Sequence, residues 1–113
     1  MDKLQNDDTI YFHLQLLAKL IDMKQYPFSK LIIDHRVTFQ EYKDLLDLLA
    51  NLNEQYGIQK EEGLLNFTAL LVHFAGMLTV KLDPTETIFA LKKEGYYPSL
   101  MDEFIKILED DRT

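Results

Sequence analysis

Residues 63–80 read GLLNFTALLVHFAGMLTV and hold no Asp, Glu, Lys or Arg, in a chain of which 27% is charged. Wound as a helix at about 100° per residue, the stretch puts Phe67, Leu70, Leu71, Phe74, Met77 and Leu78 on one broad apolar face, while Val72 and Val80 point elsewhere. A helix that is apolar nearly all round is buried on several sides. Ala69, Ala75 and Gly76 would let neighbouring backbones come close. The stretch therefore predicts an all-α fold, a compact multihelical bundle of about six helices around a buried central helix, with residues 1–113 forming a single helical domain.

A membrane span is the rival reading, because the stretch is near the shortest length that crosses about 30 Å of hydrocarbon. Asn66, Thr68, His73 and Thr79 would then need partners in lipid, and no aromatic belt or basic cluster flanks them. The other apolar runs are amphipathic in the manner of a water-soluble bundle.

The length suits one core. With no cysteine there is no disulfide, no thiolate nucleophile and no thiolate metal site, which agrees with a reducing compartment. The opening MDKLQNDDT lacks the basic and apolar regions of a secretory signal, so the expected location is cytoplasmic. A net charge of −7 repels phosphate backbones and anionic lipid, so neither nucleic acid nor membrane is an expected partner.

Outside the central stretch, Asp7, Asp8 and Thr9 offer N-cap oxygens for a first helix reaching about Met23. Ile10, Leu14, Leu17 and Ile21 form one stripe, and a second set, Phe12, Leu16, Leu20 and Met23, widens the apolar arc to roughly half the circumference. Together they are wider than one neighbour covers, which suggests a second subunit. Pro27 opens a short helix to about His35. Thr38 and Glu41 form a capping box, and Tyr42, Leu45, Leu49, Leu52 and Tyr56 follow at spacings of three and four as a packing seam. Gly63 should end that helix and Asn66 cap the central one, which should run to about Lys81. Asp83 and Pro84 start a fifth helix that Gly95 closes, and Pro98 opens a sixth whose Met101, Phe104, Ile105 and Leu108 face inward.

No catalytic signature emerges. Carboxylate-bridged di-iron bundles need Glu-x-x-His, but Ile10, Ile32 and Leu70 precede His13, His35 and His73 by three. Ser29 and Ser99 sit in first helical turns without a glycine-framed elbow. The turn between the last two helices resembles a helix-turn-helix, yet its second helix presents Asp102 and Glu103 where a DNA reader needs cations. Glu109, Asp110 and Asp111 read as a solvated acidic end. His73, in an uncharged helix, needs a hydrogen-bond partner if buried, and reads first as a structural or subunit-contact histidine.

The run LQLLAKLIDM (Leu14–Met23), the Tyr26-Pro27-Phe28 break followed by LIID, Phe74-Ala75-Gly76, and above all KLDPTETIFALKKEG (Lys81–Gly95) with Met101–Ile107 resemble a family of small Bacillus proteins of unknown function typified by YhaI. The resemblance implies a compact all-helical fold that associates with itself; it supplies no activity, cofactor or catalytic residue. The resulting expectation is a homo-oligomeric interaction or regulatory module without cofactor or metal. Its candidate interface is Phe12, Leu16, Leu20, Met23, Val72, His73 and Val80, with a protein partner of unknown identity. The alternatives are a small-molecule binder or minor enzyme with an interhelical pocket near His73, and, more remotely, a DNA-binding regulator.

Overall fold

The computed structural model describes residues 3–110, with the side chains of residues 3–6 and 23 outside that description. Six α-helices follow one another: α1 (Lys3–Leu20), α2 (Pro27–Asp34), α3 (Phe39–Glu61), α4 (Thr68–Met77), α5 (Pro84–Glu94) and α6 (Pro98–Asp110). A 3-10 turn, Met23–Gln25, joins the first two. No strand occurs among the described residues.

Local chemistry sets most of these boundaries. The Thr38 hydroxyl accepts from the Glu41 amide at 3.1 Å while the Glu41 carboxylate accepts from the Thr38 amide at 2.9 Å, closing the capping box that begins α3. Gly63 leaves α3 at φ +88°, and the Leu64 amide donates back to the Gln59 carbonyl. Asp83 accepts from the Glu86 amide and Pro84 fills the first position of α5; Gly95 ends it at φ +94°.

Two boundaries differ from the expectation. Helix α1 starts at Lys3, so Asp7, Asp8 and Thr9 lie within it and do not cap it. A short polar side chain caps only where the chain leaves the helix, and Leu4 and Gln5 are good helix formers. Helix α4 stops at Met77 instead of Lys81 because Leu78 is extended, at φ −66° and ψ 139°. At its other end Phe67, not the expected Asn66, is the N-cap residue; the Asn66 carboxamide one position earlier accepts from the Thr68 amide across the entry to the helix.

The core joins one face from each of α2 to α6. Phe28, Leu49, Leu52, Phe74, Ile88, Leu91, Leu100, Met101 and Phe104 are fully enclosed. The seam of α3 is buried as its spacing predicts at Leu45, Leu49, Leu52 and Tyr56. Phe28 is the hub of an aromatic group: Tyr42 stacks on it at 6.2 Å and Tyr96 meets it edge-on at 5.2 Å. Burial first, then the neighbouring Tyr42 hydroxyl, pushes the Tyr96 phenol up to about 12. Tyr56 and Phe67 join α3 to the start of α4, and Phe74 and Phe104 join α4 to α6. The buried Thr87 hydroxyl donates to the Asp83 carbonyl at 2.7 Å, so the core takes in a polar atom without leaving it unpaired.

Two carboxylates tie distant elements together. Glu94, the last residue of α5, accepts from the Phe28 and Ser29 amides at 3.1 and 3.0 Å and from the Ser29 hydroxyl at 2.9 Å. It thus serves as the N-cap that α2 lacks, since Tyr26 makes no side-chain cap. A carboxylate on free amides at a helix start is favoured both as an acceptor and as a negative charge at the dipole's positive end. Glu41 accepts from the Lys81 ammonium at 2.7 Å and the Thr79 hydroxyl at 3.0 Å, binding the start of α3 to the segment between α4 and α5. The Lys81 ammonium, followed by the Thr38 amide, lowers Glu41 from 4.5 to about 2, against a smaller opposing effect of desolvation.

Replacing Glu94 by Ala should lower the unfolding free energy by about 2–3 kcal/mol in urea titrations, since it orphans two helix-start amides and a hydroxyl. The depressed Glu41 carboxyl contributes stability that is present above its unfolded value and lost as pH falls through its folded one. Stability should therefore drop between about pH 4.5 and pH 2. Glu41→Gln should flatten that part of the curve, as read by melting temperature against pH.

Candidate interaction surface

The radius of gyration is 16.9 Å and the principal extents are 60 × 25 × 23 Å, whereas a compact chain of this length has a radius near ~13 Å. The difference comes from α1. It rises roughly 27 Å and shares only marginal contact with the other helices. The Arg36 guanidinium lies 5.8 Å from the centre of the Tyr11 ring, which brings the middle of α1 back beside the far end of α2. The chain thus turns back on itself across residues 21–26.

Both apolar stripes of α1 are exposed. Ile10, Leu14, Leu17 and Ile21 face solvent on one side, and Phe12, Leu16 and Leu20 on the other, with Leu20 81% accessible. None of these residues is buried among the described helices. Met23 lies in the 3-10 turn, and its side chain is outside the described residues.

The central stretch departs further from its reading. Phe67, Leu70, Leu71, Phe74 and Leu78 are buried, but Met77, expected on the same face, is 66% accessible. Val72, His73, Ala75, Gly76 and Val80 are exposed, and Leu65 is 92% accessible. Helix α4 is covered on one side by α3 and α6 and open on the other. Absence of charge marks apolarity all round, not cover all round: α3 and α6 take one side of α4, and the residues on its other side are exposed. Val72, His73 and Val80 lie on α4 and just beyond it, apart from Phe12, Leu16 and Leu20 on α1, and the two helices share no extensive contact among the described residues. His73 lines neither of the two hollows described below.

The larger cleft lies elsewhere. It has a volume of about 480 Å³ and runs between α2 and α5. Pro27 and Leu31 of α2 and Phe89 and Ala90 of α5 give it an apolar floor, and Lys24, Lys30, Asp34 and His35 on one side and Glu86 and Lys93 on the other edge it. A smaller hollow of about 240 Å³ separates Glu41, Asp44 and Leu45 from Met77, Leu78 and Thr79. Sequence reasoning missed the α2–α5 cleft. Its only linear trace is the recurrence of Lys30, Asp34 and of Glu86, Phe89, Lys93 at spacings of three and four.

Among the described residues, no group of three His, Asp or Glu side chains is placed to share a metal ion. No described helix is long and apolar enough to cross a membrane.

A family model described as a protein of unknown function, DUF1878, matches residues 1–109, and the chain belongs to that family. The match takes in α1 to α5 and nearly all of α6.

Because His73 touches no core, His73→Asn should change the unfolding free energy by less than about 0.5 kcal/mol in denaturant titration, as for an ordinary surface position.

Proposed function

We propose that this member of the DUF1878 family is a self-associating interaction module, and that α1 is the element through which one copy holds another. The carrying observation is the exposure of Ile10, Tyr11, Phe12, Leu14, Leu16, Leu17 and Leu20 on one helix, with Ile21 exposed directly after it. They spread over more than half of the helix circumference, so covering them takes a partner that embraces the helix from more than one side. Exposed apolar residues gathered along one element in this way mark a protein–protein contact surface. A second copy of this chain is a sufficient occupant: it brings an equal apolar surface, and a pair of identical chains closes on itself around a two-fold axis.

A catalytic reading has less support. The larger cleft is open and holds no nucleophile paired with a base, and the exposed apolar surface is concentrated on a helix that lines no cavity. The outer face of α4 offers a second, smaller apolar area with Leu65, Val72, Met77 and Val80, available to a further partner once α1 is covered.

Sedimentation equilibrium on the full chain should give a dimer or higher oligomer at micromolar concentration. Leu16→Glu with Leu20→Glu should shift it to monomer with its helicity retained, by at least ~100-fold in dissociation constant. A wild-type chain that sediments as a monomer throughout would overturn the reading.

A further inference from the structure

We infer that the cleft between α2 and α5 is the receptor for α1 of a second copy, which lies in it parallel to α2. This rests on the self-association reading above and gives it an acceptor site and a direction.

The cleft is electrically polarised along its length. Glu94 holds the start of α2 against the end of α5, so these helices run antiparallel. Lys24 and Lys93 therefore edge the cleft at the start of α2, and Asp34 and Glu86 edge it at the other end. Asp34 is already bridged to Lys30 at 2.5 Å, which leaves Glu86 as the principal anion at its end. Between the two ends lies the apolar floor of Leu31, Phe89 and Ala90.

One face of α1 matches this layout. At 100° per residue, Asp8, Phe12, Leu16, Lys19 and Leu20 fall within about 120° of one another. The face thus carries an acid near its start, three large apolar side chains, and a base near its end. Asp8 to Lys19 rises roughly 16 Å and Lys93 to Glu86 on α5 roughly 11 Å, a difference that the long Lys and Glu side chains cover, so acid and base reach the two charged ends together. The apolar residues at i, i+4 and i+8 then lie over the floor, in the manner of an amphipathic helix in a groove.

Direction excludes the chain's own helix as the occupant. The chain's own α1 can lie along α2 only antiparallel to it, because just six residues join the end of the one to the start of the other, and the Tyr11–Arg36 contact agrees with that turn. Moved into the cleft in that sense, it would bring Asp8 toward Glu86 and Asp34, and Lys19 toward Lys24 and Lys93. A second copy can enter in the favourable sense. Its α1 is then antiparallel to the first copy's α1, which is the relation a two-fold axis perpendicular to the helices imposes.

Sedimentation equilibrium of charge-reversed full-length chains tests the assignment. Asp8→Lys, or Lys24→Glu with Lys93→Glu, should each weaken the dimer about tenfold or more. The chain carrying all three changes should return to within about threefold of wild type, because reciprocal docking restores every pair with its signs exchanged. Asp7→Lys makes the same change in net charge on the opposite side of α1 and should leave the dimer unaltered. A wild-type dimer that Asp8→Lys weakens no more than Asp7→Lys, or a triple variant as weak as its parents, overturns the receptor assignment while leaving self-association standing. A monomeric wild type overturns both.

Discussion

The Glu94 carboxylate against the start of α2 is the contact on which the rest of the arrangement depends. Helix α2 has only eight residues, too few to persist alone in water, and it begins at a Tyr-Pro step with no side chain of its own to accept its first amides. Glu94 supplies that acceptor from the other end of the sequence. In doing so it fixes the antiparallel relation of α2 and α5 and seats Phe28 between Tyr42 and Tyr96. Gly95 directly after it bends the chain into α6, so one Glu-Gly pair ends a helix, begins another and turns a third onto the core.

Glu41 plays the corresponding part at the opposite junction. It closes the cap of α3 and, with Lys81 and Thr79, holds the segment by which the chain leaves α4. These two acidic residues are anchored by amides, hydroxyls and an ammonium in a chain with a large acidic excess. Most of that excess lies on the surface, where it opposes nonspecific association and leaves the few exposed apolar areas to decide what binds.

Those areas are unevenly spread. Helices α2 to α6 each commit one face to a shared core, while α1 commits almost none of its apolar surface within the chain. The same antiparallel pairing that Glu94 enforces leaves a cleft with cations at one end and acids at the other. A polarised groove and an amphipathic helix of matching charge order, both on one chain and unable to meet in the right sense within it, are the elements of an association between copies.

The capping chemistry of Thr38 and Glu41, Asp83 and Pro84, Gly63 and Gly95 is local, and the sequence alone placed those helix ends because each signal acts within a few residues. The seam from Tyr42 to Tyr56 and the inner face of α4 were equally legible, since periodicity reports which residues want cover. Periodicity does not report what supplies the cover. The outer face of α4 and both stripes of α1 look as apolar in sequence as the buried faces do, and only the packing of the described helices left them open. Placement of Glu94 on the amides of residues 28 and 29, and the polarity of the cleft that follows, join positions some 65 residues apart. No local signal encodes such a pairing; the tertiary structure decided it.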